Sequence, residues 1–167
     1  PTSKRVVDPS SAGTTGSDAT IGETVTYDIV IPVPEGTMPL HLTDAIPPGM
    51  SLVSATVVAI DPSISGSLLG AGASITSGPV DFDFGIIVNG FGDGDTADQI
   101  VVRVVLKVDN VAGNQADPSG TTDDRTNTAT IDYGSGTASD DAVITIAEPV
   151  VSIDKAASPT TGLDAGD

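Results

Sequence analysis

The chain has 167 residues, of which 38% are hydrophobic, so it is long and apolar enough for one large domain, or for one domain and a fragment. Six lysines and arginines stand against 23 aspartates and glutamates, and the net charge of −17 disfavours nucleic acid and anionic membranes as partners while attracting divalent cations. The absence of cysteine excludes disulfides and thiolate metal sites, and no apolar stretch approaches the roughly 20 residues of a membrane-spanning helix, so membrane insertion is not expected.

Alternating runs rich in Val, Ile and Thr, separated by clusters of Gly, Pro, Asp and Ser, indicate β-strands along the whole chain. In chain order the predicted strands are Lys4–Asp8, Thr20–Val33, Pro39–Ile46, Ser51–Ile60, Val80–Val88, Gln99–Asp109, Thr126–Tyr133, Ala142–Ala147 and Val150–Ala156. Many short strands and almost no helical periodicity predict an all-β fold, an antiparallel β-sandwich. A closed barrel is the alternative, and the uneven strand lengths favour the sandwich.

The two ends of the chain resemble each other. The segments "SKRVVDPSSAGTTGSDATIGE" near the start and "DKAASPTTGLDAGD" at the end share a lysine, a proline followed by Ser or Thr, a G-x-D-A motif and a final Gly-acid pair. Aligning Lys155 with Lys4 gives a period of 151 residues. We therefore expect residues 1–148 to form a complete sandwich, and residues 149–167 to form a linker and the first strand of the next repeat. Tandem arrays of such modules make rods, stalks and filaments.

Several polar side chains fall on the apolar face of a predicted strand. In "RTNTATIDYG", for example, the strand period of two places Asn127 on the same face as Ala129 and Ile131. The polar residues in such positions are Lys4, Glu23, Asp44, Asn127 and Lys155. Burying an unpaired charge is unfavourable, so these groups are expected to contact one another or to become neutral.

A lysine, an asparagine and a carboxylic acid that share an apolar pocket can react with one another. Desolvation lowers the pKa of the lysine and raises that of the acid, which keeps its proton. The protonated acid polarises the Asn127 carbonyl while Lys4 attacks it, ammonia leaves, and an amide crosslink joins the first strand to a late one. Two other interpretations stay open: Lys4 reaches water along its aliphatic stem, or Asn127 satisfies backbone groups at a strand edge.

The segments "IGETVTYDIVI", "LTDAIPPGMSLVSATV", "DNVAGNQ" and "TNTATI" resemble the DUF11 and isopeptide-forming fimbrial repeats of large bacterial surface proteins. The resemblance covers most of residues 3–147, and it implies an immunoglobulin-like sandwich that is one module of a tandem array. Members that form isopeptide bonds use an early-strand lysine, a late-strand asparagine and an acid between them. In this chain the corresponding residues are Lys4, Asn127 and Asp44, with Glu23 as the alternative acid and Lys155 as the lysine of the next repeat.

The segment "NGFGDGDTADQ" places Asp93, Asp95 and Asp98 close together among glycines. Carboxylate and carbonyl oxygens on a tight loop suit the flexible, oxygen-rich coordination of Ca²⁺, although the loop lacks the later glutamate of an EF-hand. The spacing therefore predicts a Ca²⁺ site on these three aspartates. A solvated hairpin turn is the alternative, because Asp and Gly also favour turns.

These features together predict a structural repeat of an extracellular bacterial adhesin or fibre, located at the cell surface and acting as a stiff spacer or polymer unit. Its expected partners are neighbouring copies of the same repeat, joined covalently or by strand addition. A glycan- or ligand-binding module on a surface stalk is the alternative function, but the chain has no Trp, two Tyr and three Phe for a sugar platform. No arrangement of residues indicates an enzyme that turns over a substrate.

Overall fold

The computed structural model describes residues 2–10, 14, 16–66, 68, 70–90, 98–115, 123–147 and 153–156, and it folds them into two packed β-sheets. The strands are β1 (Ser3–Pro9), β2 (Asp18–Ala19), β3 (Thr24–Pro32), β4 (Gly36–Ala45), β5 (Met50–Ile60), β6 (Ile64–Gly66), β7 (Ser74–Ile75), β8 (Val80–Asn89), β9 (Gln99–Val108), β10 (Asp123–Asp132) and β11 (Thr137–Ile146). Among the described residues, a 3₁₀ turn at Ala112–Asn114 follows β9. Within the described ranges no helix is long and apolar enough to cross a membrane.

Residue alternation along the strands builds the core. In β9, every second residue points inward and is almost fully buried, while the residues between them face outward. The buried set of this strand is Ile100, Val102, Val104, Leu106 and Val108. Side chains of this kind on both sheets meet in one layer, and the aliphatic period of two in the sequence is the direct cause of this arrangement.

The sheet order places the first strand of the module in one sheet and its last two strands in the other. One sheet has the order β1-β3-β9-β5-β7, and the other has the order β2-β11-β10-β4-β8-β6. Strand β1 is therefore an edge strand, while β10 lies between β11 and β4 in the opposite sheet. Because β1 packs against β11, the inward side chains of β1 reach those of β10 and β4 across the core.

The predicted all-β sandwich is confirmed, and one strand pair departs from its antiparallel character. All strand pairs are antiparallel except β2 and β11, which run parallel through Asp18 and Ala19. The sequence did not predict β2, β6 or β7. These strands have two or three residues each, which is too short to show a period of two.

The strand predicted over Thr20–Val33 is wrong in its first four residues. A turn occupies them, in which Gly22 has a φ of +91° and the Glu23 N–H donates to the Thr20 carbonyl at 3.1 Å. Glycine adopts this left-handed conformation without the steric penalty of a side chain, so the chain reverses there and β3 begins at Thr24.

The strand predicted over Val150–Ala156, as the first strand of the next repeat, falls within the described residues only at positions 153–156. Residues 153–156 are exposed and form no strand. Ile153 is 91% exposed, because this segment is paired with no strand of either sheet. The proposed division between residues 148 and 149 stays a prediction.

Candidate crosslink site

Three strands from the two sheets bring the predicted reactive residues together. Lys4 lies on the inward face of β1, Asp44 on that of β4 and Asn127 on that of β10. Asp44 is the cross-strand partner of Ala129, which is two residues beyond Asn127 on the same face of β10. The acid and the amide are therefore diagonal neighbours in one sheet, and the lysine reaches them from the other.

The cluster is almost completely buried. Lys4 and Asp44 are each 5% exposed and Asn127 is fully buried. The Lys4 Nζ contacts the Asp44 Oδ1 as a buried ion pair, and it lies 5.2 Å from the centroid of the Tyr27 ring. We call Lys4, Tyr27, Asp44 and Asn127 the buried cluster. Such a group is unusual in a core, since each member must be separated from water.

Four polar atoms in the buried cluster have no hydrogen-bond partner: Asp44 Oδ2, the hydroxyl of Tyr27, and both side-chain atoms of Asn127. The Asn127 amide approaches Asp44 closely enough to favour its charged form, but the contact falls outside ordinary hydrogen-bond geometry, so we treat the amide as unpaired. Each unpaired buried group costs about 1–3 kcal/mol. A fold that served only stability would place an aliphatic residue at position 127.

Burial shifts the proton affinities of the cluster toward neutral groups. Desolvation lowers the pKa of Lys4, and the opposing attraction of Asp44 is smaller. Desolvation likewise raises the pKa of Asp44 more than Lys4 and Asn127 lower it. Burial, followed by the nearby charge of Asp44, also raises the pKa of Tyr27. Both shifts in the lysine–aspartate pair favour a neutral amine beside a protonated carboxyl.

These states supply the groups that an amide transfer requires. A neutral amine is a nucleophile, a protonated carboxyl is a general acid, and a carboxamide is an electrophile that releases ammonia. The structure brings Lys4 and Asn127 to the same carboxyl, that of Asp44, within a site from which water is excluded.

Glu23 does not belong to the buried cluster. Its carboxylate accepts from the backbone N–H of Thr20 at 2.7 Å and from the hydroxyl of Thr14 at 3.0 Å, so it stabilises the turn before β3. Lys4 pairs with Ile29, six residues further along β3, which corresponds to roughly 20 Å of strand. Between the two predicted acids, the structure therefore places Asp44, and not Glu23, at the lysine. Lys155 is exposed and lies outside any strand.

The predicted Ca²⁺ loop is described only in part. Asp93 and Asp95 lie outside the described residues, whereas Asp98 is 5% exposed. The Asn89 Nδ2 donates to Asp98 Oδ2 at 2.8 Å and to the Val33 carbonyl at 2.9 Å. The remaining oxygens, Asn89 Oδ1 and Asp98 Oδ1, are buried without a partner. In the described part of the chain, no group of three or more His, Asp or Glu residues is arranged to hold a metal ion.

Sequence reasoning missed two residues at the site. Tyr27 lies on the inward face of β3 together with Val25 and Ile29. Asp140 precedes Ala142 and Ile144 on the inward face of β11, and its carboxylate accepts the backbone N–H of Lys4 at 2.7 Å. The strand period was the signal for Tyr27, whereas Asp140 precedes the strand predicted over Ala142–Ala147 and lies in β11 because β11 begins at Thr137. The sequence, however, does not show which strand of the other sheet they meet.

Comparison with known proteins gives matches among solved structures only. No protein-family model matches the chain, so the resemblance to DUF11 repeats stays a prediction. No curated protein matches it either. The similar structures include the full-length major pilin SpaD from Corynebacterium diphtheriae, at 12% identity and a TM-score of 0.46, with 87% of this chain and 35% of that chain covered.

Two other pilus proteins match at comparable levels. The major pilin subunit BcpA of Bacillus cereus, in a variant form, has 9% identity and a TM-score of 0.43, with 88% of this chain and 40% of that chain covered. The pilus backbone protein RrgB of Streptococcus pneumoniae has 14% identity and a TM-score of 0.39, with 79% and 30% covered. The chain spans less than half the length of each of these structures.

Proposed function

We propose that this chain is a load-bearing structural repeat of an extracellular bacterial fibre or surface protein, stabilised by an amide bond between Lys4 and Asn127. The observation that carries the proposal is the buried, unpaired Asn127 carboxamide beside the Lys4–Asp44 pair. The bond forms once in each molecule, and the protein turns over no substrate.

The reaction balances within the buried cluster. The neutral Lys4 Nζ attacks the side-chain carbonyl carbon of Asn127 while the protonated Asp44 donates a hydrogen bond to the carbonyl oxygen. Asp44 then transfers its proton to the departing amide nitrogen and recovers a proton from the attacking amine. The C–N bond of the carboxamide breaks, a new C–N bond to Lys4 forms, and one ammonia leaves.

The position of the bond suits a protein under tension. It joins an edge strand of one sheet to an inner strand of the other, and therefore closes a loop that includes most of the module. In a chain without cysteine, no disulfide can do this. The exposed Ile153, in a segment paired with no strand, supports our further proposal that this part of the chain packs on a neighbouring copy, as the next repeat or by strand addition.

Single-molecule pulling on tandem copies of the chain tests the load-bearing role. With the bond in place, force passes from Lys4 directly to Asn127, and the residues between them do not extend. At roughly 3.4 Å per residue, each wild-type module should lengthen by about 420 Å less than an Asn127→Ala module. Thr126→Ala, on the exposed side of the same strand, is the matched control and should extend like wild type. Equal extension of wild type and Asn127→Ala would reject a load-bearing crosslink.

We also propose that the Ca²⁺ site predicted on Asp93, Asp95 and Asp98 includes the side-chain oxygens of Asp98 and Asn89. Asp98 Oδ1 and Asn89 Oδ1 are buried without a hydrogen-bond donor, and both are hard oxygen atoms of the kind that Ca²⁺ prefers. Asp98 supplies a full charge, and the Asn89 amide holds its other oxygen in place. The net charge of −17 raises the local concentration of cations around this site.

Chelation should lower the melting temperature of the wild-type chain, because the ion binds only the folded state. With free Ca²⁺ at 100 times its Kd, the expected change is about 5–10 °C. Asp98→Asn keeps the size of the side chain, removes its charge and should abolish the effect. Asp81→Asn removes an exposed charge from β8 and should leave the effect intact. If chelator does not change the melting temperature of the wild-type chain, the site is excluded.

A further inference from the structure

The seam between β1 and β11 is closed by a hydrogen bond that crosses from one sheet to the other. Strand β1 is an edge strand, so its backbone groups pair with β3 on one side only. On its other side, the Lys4 N–H donates to the Asp140 Oδ2 at 2.7 Å. An edge strand is paired on one side only and opens more easily than an inner strand, and a bond of this kind restrains it at the residue that carries the reactive amine.

Asp140 and Asp44 lie in one row of cross-strand partners, and each contacts a different end of Lys4. Ala129 of β10 is the cross-strand partner of Asp140 in β11 and also of Asp44 in β4. Asp140 holds the backbone of Lys4, while Asp44 holds its Nζ. Ala129 therefore lies between the two aspartates in this row.

We propose that Asp140 is a positioning residue for the Lys4–Asn127 reaction, acting through the Lys4 backbone. This inference rests on the proposed function. Fixing a nucleophile against its target can supply much of the rate of an intramolecular reaction, and a displacement of about 1 Å can slow it on the order of 100-fold. Losing the anchor would let β1 move relative to β10, and the amine would meet the carboxamide less often.

The charge of Asp140 acts in the opposite direction to its hydrogen bond. Like Asp141, it raises the pKa of Lys4 and so favours the unreactive ammonium form. A role in the reaction must therefore come from the acceptor atom and not from the charge. Two substitutions separate these effects, because asparagine at position 140 keeps an acceptor and removes the charge, whereas alanine removes both.

The rate is measured by intact mass after a short pulse of cell-free synthesis, as the fraction of full-length chain that has lost one ammonia. We expect Asp140→Ala to slow this loss by ten- to 100-fold, and Asp140→Asn to react at or above the wild-type rate. Asp141→Ala is the matched control, because it removes a neighbouring exposed charge and should not slow the reaction. An Asp140→Ala rate equal to wild type, or an Asp140→Asn rate as slow as alanine, would overturn the proposal.

Hydrogen exchange at the Lys4 amide provides a readout that does not need the crosslink. In an Asn127→Ala background, the further change Asp140→Ala should accelerate exchange at this amide, while Asp140→Asn should preserve its protection. Unchanged exchange would overturn the anchoring role. If the wild-type chain never loses ammonia, the proposed crosslink fails, and with it the role of Asp140 in that reaction. The exchange result would then still show whether Asp140 anchors β1.

Discussion

Replacing Asn127 with alanine is expected to lower the melting temperature by about 10–20 °C and to leave the chain at its full calculated mass. The bond between Lys4 and Asn127 closes most of the module into a loop, and the chain-entropy model gives such a closure about 5 kcal/mol, by a mechanism that is model-dependent. In a module of this size, each kcal/mol corresponds to about 2–4 °C. Calorimetry and intact mass on the same sample measure both effects.

The substitution also removes a buried, unpaired amide, which by itself would favour the folded state. A large loss of stability would therefore have to come from the lost crosslink and not from the side chain. Thr126→Ala, which changes the exposed face of the same strand, should retain the wild-type melting temperature to within a few degrees. If the melting temperature of Asn127→Ala equals or exceeds that of wild type, Asn127 forms no crosslink.

Replacing Asp44 with asparagine is expected to slow the crosslinking reaction by about 100- to 10,000-fold, which is the usual contribution of a positioned acid or base. Asparagine fits the same space but cannot shuttle the proton from the attacking amine to the departing nitrogen. The variant should therefore accumulate at full mass. It should also unfold at a lower temperature than Asn127→Ala, because the buried Lys4 amine loses the carboxyl that it contacts, a loss of about 1–3 kcal/mol.

A double substitution separates this chemistry from stability. Lys4→Met with Asp44→Leu removes both ionisable groups and fills their space with apolar atoms, which is often neutral or stabilising in a core. This variant cannot crosslink, yet it should be more stable than Asp44→Asn. Crosslinking of the Asp44→Asn chain at the wild-type rate would show that Asp44 is not the acid.

Much of the buried cluster could be predicted because a strand has a period of two. That period assigned Lys4, Asp44 and Asn127 to inward faces, and the structure places all three inside. The same period also assigned Glu23 to an inward face, because the alternation of residues continues across the turn at Gly22 and does not reveal it. Asp44 can be distinguished from Glu23 as the acid near Lys4 only by this turn and by the pairing of Lys4 with Ile29.

What the period cannot show is contact between sheets. The hydrogen bond from Lys4 to Asp140 joins residues 136 positions apart, and it depends on β1 lying beside β11. The partnerless oxygens of Asn89 and Asp98 likewise depend on how β8 and β9 meet. In the sequence, the acidic neighbours of Asp98 indicate a cation site, whereas Asn89 carries no such signal.

Peptide mapping of the wild-type chain tests the central proposal most directly. Trypsin cleaves after lysine and arginine, and a Lys4 side chain locked in an amide is no longer cleaved. The proposal predicts one branched product, in which residues 1–5 are joined through Lys4 to Asn127 in residues 126–155, with the mass of the two peptides less one ammonia. Fragmentation should locate the junction at these two residues. Separate peptides, with cleavage after Lys4 and an intact Asn127, would contradict the crosslink.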